Sequence, residues 1–237
     1  MLDKFKKNIR KFGDSHGGSW FYFNAVSHHM DLIKEYKRIF SKYIKKNSKV
    51  LDLGAGRLFY RDIIKQYSKN YKSIDFTKTH NDLDHIGTAS NTNLKSNEFD
   101  VIFCSQVLEH VPDPNESFEE INRILKKDGI AIISVPFLMY LHNEPYDFFR
   151  YTKHALRKFS KENNFKIIEL KEVGGLFGFF GAISSMLLIG STWNIPIINW
   201  IFYGINFIIQ NIFYFLDMIT FNSKIFPSNY LLMVKKK

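Results

Sequence analysis

This chain contains a run of 44 residues, from Val173 to Leu216, without a single Asp, Glu, Lys, Arg or His. Soluble domains rarely contain such a run, because their surfaces need charged side chains for solvation. Pro196 and the polar residues before it divide the run into two apolar segments, at about 176–189 and about 197–219. Only the second segment is long enough to cross a bilayer, which takes about 20 apolar residues.

The second apolar segment carries a polar face. Asn199, Asn206 and Gln210 are spaced by seven and four residues, which places them on one side of a helix. Trp200 lies in the same segment, and tryptophan is favoured at headgroup depth. This pattern favours a helical hairpin embedded in a membrane or lying on its surface. A buried helical subdomain and an interface between two copies of the chain remain the alternatives.

The net charge of +10 is concentrated at the N-terminal end of the chain. Residues 1–49 hold 12 Lys and Arg against 4 Asp and Glu, and the rest of the chain holds 21 against 19. A basic segment of this kind attracts polyanions, either an anionic lipid surface or nucleic acid. A solvated lysine-rich face without a partner is the other interpretation.

Cysteine usage and the first residues favour a cytoplasmic location. The only cysteine, Cys104, cannot form an internal disulfide, and the segment MLDKFKKNIRKF lacks the apolar run of a signal peptide. Together with the apolar run, this predicts a protein associated with the cytoplasmic face of a membrane.

Outside the apolar run, strand and helix patterns alternate, which predicts a mostly parallel sheet with helices on both faces. The predicted strands cover about 49–53, 71–75, 101–104, 130–135, 165–170 and 230–234, and the predicted helices about 27–46, 60–67, 115–125 and 154–163. We expect a basic N-terminal helical segment at 1–47, a sheet domain at 48–172 plus 228–237, and an apolar helical hairpin at 173–227, inserted before the last strand.

The segment VLDLGAG joins a buried strand to a glycine-rich turn. Gly54 and Gly56 allow the backbone to turn tightly and to approach a ligand without clashes from a Cβ atom. Asp75 follows 23 residues after Asp52, at the end of the next strand, where a carboxylate can accept hydrogen bonds from a ribose. The two features predict a cofactor that contains a nucleoside. The third glycine of the dinucleotide fingerprint is absent, which argues against a pyrophosphate cofactor.

Four segments, KVLDLGAG, FDVIFCSQVLEHVPDP, LKKDGIAIISVPF and EPYDFFRYT, resemble class I S-adenosylmethionine-dependent methyltransferases in order and spacing. The resemblance is to the type 11-like group and covers roughly residues 50–171. It implies a Rossmann-like seven-stranded methyltransferase sheet with an antiparallel last strand. It also implies S-adenosylmethionine as the cofactor.

The resemblance implies a set of cofactor-binding residues. The turn after the first strand would cradle the methionine end of the cofactor, and Asp75 would bind the ribose. Thr88 stands where the family often has an acid near the adenine, and Gln106 is the best candidate for a polar contact near the transferred methyl group. The full set is Asp52, Gly54, Ala55, Gly56, Asp75, Phe76, Thr88, Ser105 and Gln106.

A hydroxyl acceptor must lose its proton during methyl transfer, so a base is expected near the acceptor. The candidates are His142, His110 and Asp147. His110 also suits a capping or packing role, and Asp147 also suits an ion pair with Arg150 that holds its loop. Gln106, Glu109 and His110 are a possible set of ligands for a divalent ion, since some quinone-directed relatives place Glu and His here. Because the first of these residues is a glutamine and no fourth ligand is apparent, we expect no metal.

The family does not determine the acceptor, so the flanking segments must indicate it. The basic N-terminus and the apolar run both point to a membrane. We therefore expect O-methylation of a membrane-associated acceptor, which is a lipid-linked glycan, a lipid or a quinone-type head group. The alternatives are an RNA methyltransferase, a soluble small-molecule methyltransferase and a membrane-anchored binding protein without catalysis. No RNA-binding module is recognisable, so nucleic acid is not the expected partner.

Overall fold

The structure is a computed structural model that describes residues 27–192, 195–220 and 224–237. Most of the predicted basic N-terminal segment therefore lies outside the described residues. The chain divides into two compact units. The sheet unit comprises Glu35–Glu172 and Asn229–Lys237, and the helical unit contains the described residues of Val173–Ser228 together with 27–34.

The sheet unit is built on seven strands in the order β3-β2-β1-β4-β5-β7-β6. Strands β1 to β5 pair in parallel, and β7 runs antiparallel to β5. Their bounds are β1 Lys49–Leu53, β2 Asn70–Asp75, β3 His85–Ile86, β4 Phe99–Ser105, β5 Leu125–Pro136, β6 Phe165–Val173 and β7 Asn229–Lys236. The predicted seven-stranded sheet with its antiparallel last strand is confirmed.

Six helices and one short 3-10 turn, Leu108–His110, connect and flank these strands in the described chain. The helices are α1 Ser27–Tyr43, α2 Arg61–Lys65, α3 Pro114–Ile124, α4 Lys153–Glu162, α5 Leu176–Thr192 and α6 Pro196–Thr220. Side chains cap the N-termini of two of these helices. The Asp113 carboxylate accepts hydrogen bonds from the first turn of α3, and the Thr152 hydroxyl accepts one from the first turn of α4.

Strand β3 is the element that the sequence analysis missed. It contains two residues, and it joins the sheet edge by pairing Ile74 with His85 and Asp75 with Ile86. Such a short strand has no apolar run or alternation that could predict it, because its only support is the neighbouring strand β2.

Helix α1 covers the sheet unit with an aromatic face. The Tyr36 ring lies edge-on to Phe103, with 4.8 Å between ring centroids, and Phe40 lies 5.2 Å from the same ring. The Tyr36 hydroxyl donates to Ser134 Oγ at 2.5 Å and lies 2.8 Å from Ser105 Oγ. These bonds join α1 to the ends of β4 and β5, where the site is built.

In the helical unit, α5 and α6 pack as an antiparallel pair with inverted polarity. The three most buried polar side chains of α6 are Asn199, Asn206 and Gln210, and all face α5. The large apolar side chains point outward, including Ile197 at 79% and Trp200 at 65% exposure. A hairpin folded for water would show the opposite arrangement.

Helix α6 is the one described helix that is long and apolar enough to cross a membrane, over Ile197–Thr220. This finding concerns length and composition alone. The predicted apolar helical insertion before the last strand is present in the structure.

Candidate functional site

The site lies at the carboxyl ends of the parallel strands, where α/β proteins place their ligands. The first part is the turn after β1. Gly54 and Gly56 have φ angles of +76° and +52°, which residues other than glycine rarely adopt. The amides of Gly54 and Ala55 donate to Ile74 O at 2.9 and 3.0 Å, so the turn is held against β2.

The turn and Asp75 form one cradle. Asp75 Oδ2 accepts a hydrogen bond from the Gly56 amide at 2.7 Å. Burial raises the pKa of Asp75, and amide donors from Gly56, Phe76 and Thr77 oppose that shift. A Cβ atom built on Gly56 would meet nothing within 4 Å, so the turn faces open space on that side. The structure therefore brings together the glycine turn and the acid, which the sequence placed 19 positions apart.

Asp52 is buried beneath this turn. Its Oδ2 accepts a hydrogen bond from the Tyr71 hydroxyl at 2.8 Å, and burial raises the pKa of Asp52 to about 7. The sequence analysis did not find Tyr71, because a tyrosine near the start of a predicted strand gives no signal of its partner on the neighbouring strand.

Two other predicted cofactor residues lie beyond β2. The Phe76 side chain is 63% exposed and directly follows Asp75. Thr88 lies in an exposed turn, where its hydroxyl accepts from the Asn91 amide at 3.0 Å. Asp84, the acid that precedes Thr88, accepts from the amide and the hydroxyl of Ser73. That carboxylate therefore holds β2 in place.

Ser105 ends β4, Gln106 follows it, and both join a network of hydroxyl groups. Gln106 has a φ of +56°, its amide donates to Ser134 O at 3.0 Å, and its Nε2 donates to Ser134 Oγ at 3.2 Å. Ser105 Oγ also lies 3.5 Å from the Tyr60 hydroxyl. Tyr36, Tyr60 and Ser134 were missed by the sequence analysis, which placed them in predicted helices and a strand without assigning them to the site.

The loop after β5 is held by an ion pair. Arg150 donates from Nη1 and Nη2 to the two oxygens of Asp147, at 2.6 and 2.8 Å, and also to the carbonyl of Tyr140 at 2.8 Å. Burial opposes ionisation of Asp147, but Arg150 and the His142 amide lower the pKa of Asp147 to about 2. The ion pair is the alternative that the sequence left open. It makes Asp147 a positioning residue for the loop that carries His142.

His110 and His142 lie together, with 4.9 Å between their ring centroids. His110 Nδ1 lies 2.7 Å from Tyr146 O, and His142 Nδ1 lies 3.2 Å from Tyr140 O. Arg150 Nη2 also lies 3.4 Å from His142 Nδ1, but its two hydrogens are donated to Tyr140 O and Asp147 Oδ2. Since a carbonyl only accepts, we assign the proton to each Nδ1 and a lone pair to each Nε2. Burial lowers the pKa of both histidines, so both are neutral near pH 7.

Glu109 completes this cluster. Its side chain is fully buried, and neither carboxylate oxygen accepts a hydrogen bond from another residue that the structure describes. Burial raises the pKa of Glu109 to about 8. Ligand atoms of Glu109, His110 and His142 lie within 4.8 Å of one another, so these groups could hold a metal ion. The sequence analysis did not foresee that His142 joins them, and its expectation of no metal stays a prediction.

The sheet order with its antiparallel seventh strand, the glycine turn after β1 and the acid at the end of β2 define a class of protein. They are the features of the class I S-adenosylmethionine-dependent methyltransferases.

A family model described as a methyltransferase domain matches residues 26–170, and the chain belongs to this family. Residues 26–170 thus form a methyltransferase domain.

Two curated relatives share sequence with the chain. The ubiquinone biosynthesis O-methyltransferase of Actinobacillus pleuropneumoniae is 28% identical over 152 residues, which cover 56% of this chain and 62% of that protein. The protein of the same name from Glaesserella parasuis is 46% identical over 37 residues, which cover 16% of each chain. The chain thus spans less than two thirds of the length of either relative.

Solved structures share the fold at low sequence identity. The geranyl diphosphate C-methyltransferase of Streptomyces coelicolor has a TM-score of 0.57 at 9% identity, covering 86% of this chain and 76% of that one. That crystal contains S-adenosyl-L-homocysteine. The YcgJ protein of Bacillus subtilis has a TM-score of 0.53 at 15% identity, covering 86% and 99%.

S-adenosylmethionine is the cofactor of this class, and the residues present fit it. The open side of Gly56 gives a backbone surface that a ligand can approach, and Asp75 beside it supplies a carboxylate for hydroxyl donors. The exposed Phe76 ring follows directly. Gly54, Gly56, Asp75 and Phe76 would hold the cofactor.

Alanine at Gly54 and at Gly56 should have different effects. At Gly54 the new Cβ would lie 2.3 Å from Val107 Cγ2, so Gly54→Ala combines overpacking, about 1–3 kcal/mol, with backbone strain of about 1–2 kcal/mol. At Gly56 only the strain applies, and the Cβ enters the open space. We expect Gly54→Ala to lower the melting temperature further, and Gly56→Ala to weaken S-adenosylmethionine binding by on the order of tenfold while the protein stays folded. Differential scanning calorimetry measures the melting temperatures, and isothermal titration calorimetry measures the affinity for S-adenosylmethionine.

The double variant Gly54→Ala/Val107→Ala is the control. It removes the clash and should recover part of the lost melting temperature. Equal destabilisation by Gly54→Ala with and without the Val107 change would contradict this account of the turn.

Glu109 should make the folded state less stable as pH rises. Its pKa is about 8 in the folded chain against an ordinary value of 4.5, so between these values the folded state holds a proton that the unfolded state has released. The free energy of unfolding therefore falls through this window, by up to about 1.4 kcal/mol per pH unit from this group. Urea unfolding between pH 5 and pH 8 should show the slope, and Glu109→Gln should reduce it.

Glu116→Gln is the matched control, because Glu116 is an exposed glutamate in the next helix. It should leave the slope unchanged. A slope that Glu109→Gln does not alter would show that this carboxyl group is not buried as described.

Proposed function

We propose that this methyltransferase transfers the methyl group of S-adenosylmethionine to an oxygen of a membrane-associated acceptor, at the cytoplasmic face of the membrane. The observation that carries the membrane part is the inverted polarity of the α5–α6 pair. Its polar side chains are turned inward and its large apolar side chains outward. Apolar surface gains about 25 cal/mol for each Å² that leaves water, so a bilayer is a favourable environment for this surface.

The acceptor class follows from the relatives and the membrane together. Both curated relatives are named as O-methyltransferases of ubiquinone biosynthesis. An oxygen on a quinone-type head group is therefore our first candidate, and a lipid or a lipid-linked glycan head group comes next. In each case the membrane holds the acceptor, and an enzyme embedded in the same membrane meets it in two dimensions.

When bound, S-adenosylmethionine supplies an electrophilic methyl group on a sulfonium centre. The residues of this chain would bind the cofactor, orient the reacting groups and remove a proton from the acceptor. The turn at Gly54 and Gly56 and the Asp75 carboxylate would hold the cofactor. The network of Gln106, Ser105 and Ser134 fixes the end of β4.

His142 is the proposed general base. Its Nδ1 proton points to Tyr140 O, its Nε2 has a free lone pair, and burial keeps the imidazole neutral by lowering its pKa. Nε2 would take the hydroxyl proton while the acceptor oxygen displaces the sulfonium sulfur from the methyl carbon. Asp147 and Arg150 position the loop, since the Asp147 carboxylate also accepts from the His142 amide at 2.8 Å.

The basic N-terminal sequence supports a cytoplasmic orientation. Residues 1–49 carry a balance of +8, from 12 basic and 4 acidic residues. Basic segments stay on the cytoplasmic side and are attracted to its anionic lipids.

A methyl-transfer assay tests the proposed acceptor. Purified full-length protein and S-adenosylmethionine with a labelled methyl group are added to a lysate, which is then separated into lipid-extractable, RNA and soluble small-molecule fractions. We expect the label in the lipid fraction. Label in RNA or in the soluble fraction would overturn the membrane acceptor, and binding of the cofactor without any transfer would favour a non-catalytic protein.

Replacement of His142 tests the base. His142→Ala removes the imidazole but keeps the backbone amide that holds the loop, so we expect turnover to fall by about 100-fold or more with cofactor affinity unchanged. His154→Ala, at an exposed position in α4, is the control and should change neither quantity. Equal losses of turnover and cofactor affinity in His142→Ala would contradict the assignment.

A further inference from the structure

The tip of the α5–α6 pair contains polar groups that donate their hydrogens within the pair. The hydroxyls of Ser191 and Thr192 donate to carbonyls one turn earlier in α5, Leu187 O and Leu188 O. Asn199 lies in the first turn of α6, and its side-chain Nδ2 donates to Ile189 O at 3.1 Å and to Thr192 Oγ1 at 2.9 Å.

Ile189 O belongs to the last turn of α5, whose carbonyls have no partner within the helix. Water satisfies such carbonyls at an exposed helix end. Here Asn199 satisfies Ile189 O, and the Ile195 amide donates to Thr192 O at 2.9 Å. Each unsatisfied backbone group in hydrocarbon costs several kcal/mol, so a helix end with internal partners suits an environment without water.

Three isoleucines in the described part of the tip are exposed. Ile195, Ile197 and Ile198 are 50%, 79% and 40% exposed, and α5 and α6 carry no charged residue before Asp217. If the tip emerged into water on the far side of a membrane, these isoleucines would be solvated there. Their exposure favours a tip that stays in lipid.

The middle of the pair repeats the same arrangement. Gln210 Nε2 donates to Gly181 O and Ser185 Oγ, both at 2.7 Å, and Ser185 Oγ lies 3.0 Å from Asn206 Oδ1. Polar side chains paired between helices are compatible with a lipid environment and hold two membrane helices together.

The base of the pair, where α5 begins and α6 ends, contains a charged side chain. Asp217 accepts from the amides of Phe177 and Gly178 at 3.0 and 2.6 Å, so its carboxylate caps the start of α5. A carboxylate is costly inside a bilayer, which places this end at headgroup depth. Gly175 O accepts from Ser228 Oγ at 2.9 Å and ties the two chain ends of the pair together at the same level.

We propose that the α5–α6 pair is a re-entrant membrane anchor. It enters the bilayer from the side on which Asp217 lies, leads with the tip at which α5 ends and α6 begins, and ends inside the lipid without crossing it. This inference deepens the membrane association in the proposed function and rests on it. The occupant of the exposed apolar surface is the lipid bilayer itself.

Cysteine accessibility tests the anchor on the full chain. Cys104 is fully buried, and Cys104→Ala provides a background without other cysteines. Ser191→Cys reports on the tip and Lys224→Cys on the base, since both positions are exposed. Each variant is reconstituted into sealed vesicles of phosphatidylcholine and phosphatidylglycerol in equal parts, floated, and treated with a membrane-impermeant maleimide added outside or trapped inside.

We expect the base cysteine to react from one side and the tip cysteine to react from neither, until detergent exposes it. Reaction of the tip cysteine on the side opposite to the base would show a hairpin that crosses the bilayer. Its reaction on the same side as the base would show a surface-bound pair. Either result, or failure of the protein to float with the vesicles, overturns the anchor.

The failure of the anchor can be separated from the failure of the proposed function. Binding of S-adenosylmethionine by each cysteine variant reports an intact sheet unit. A protected tip with no lipid labelling in the transfer assay would reject the acceptor and keep the anchor. An accessible tip together with lipid labelling would reject the anchor and keep the acceptor.

Discussion

The parallel pairing of β1 between β2 and β4 is the constraint on which the site depends. It aligns Asp52 with Ser73 on one side and with Phe103 on the other, so three strands end at the same edge of the sheet. Only this alignment brings the turn after β1 within reach of Asp75, whose carboxylate then binds the Gly56 amide. The cofactor cradle is therefore a product of strand register. A shift of one residue would turn these side chains to the other face.

The two units follow opposite rules for burying polar groups. In the sheet unit, apolar residues such as Phe103 and Leu51 are inside, and charged pairs such as Lys126 with Asp100 lie at the surface. In the α5–α6 pair, Asn206 is fully buried and the large apolar side chains are outside. Burying apolar side chains away from water is favourable in both units, so the exposed apolar surface of the helical pair supports the proposed membrane association.

The loop after β5 shows how a costly group is kept in place. Glu109 is buried without a hydrogen-bond donor from another described residue, which destabilises its charged form and raises its pKa to about 8. The loop opposite it is held by the bidentate pair of Arg150 and Asp147, and the amides of Phe148 and Phe149 donate to Glu109 O. The loop supplies the carbonyls of Tyr146 and Tyr140, which face the Nδ1 atoms of His110 and His142. These contacts hold both histidines in defined tautomers. Ordered groups of this kind are what a site for proton removal requires.

The sequence by itself determined the class of the fold, the glycine turn, the acid at Asp75 and the apolar insertion, because these features depend on local patterns. Periodicity, glycine spacing and a run without charge are readable from neighbours in the chain. The tertiary structure alone decided which distant groups meet. It brought Tyr36 to Ser105 and Ser134, Tyr71 to Asp52, and His142 to Glu109 and His110. It also decided that Asn199, Asn206 and Gln210 face α5, since a helical face can be read from sequence but its partner cannot. Contacts between distant residues depend on strand register and helix packing, which no local pattern encodes.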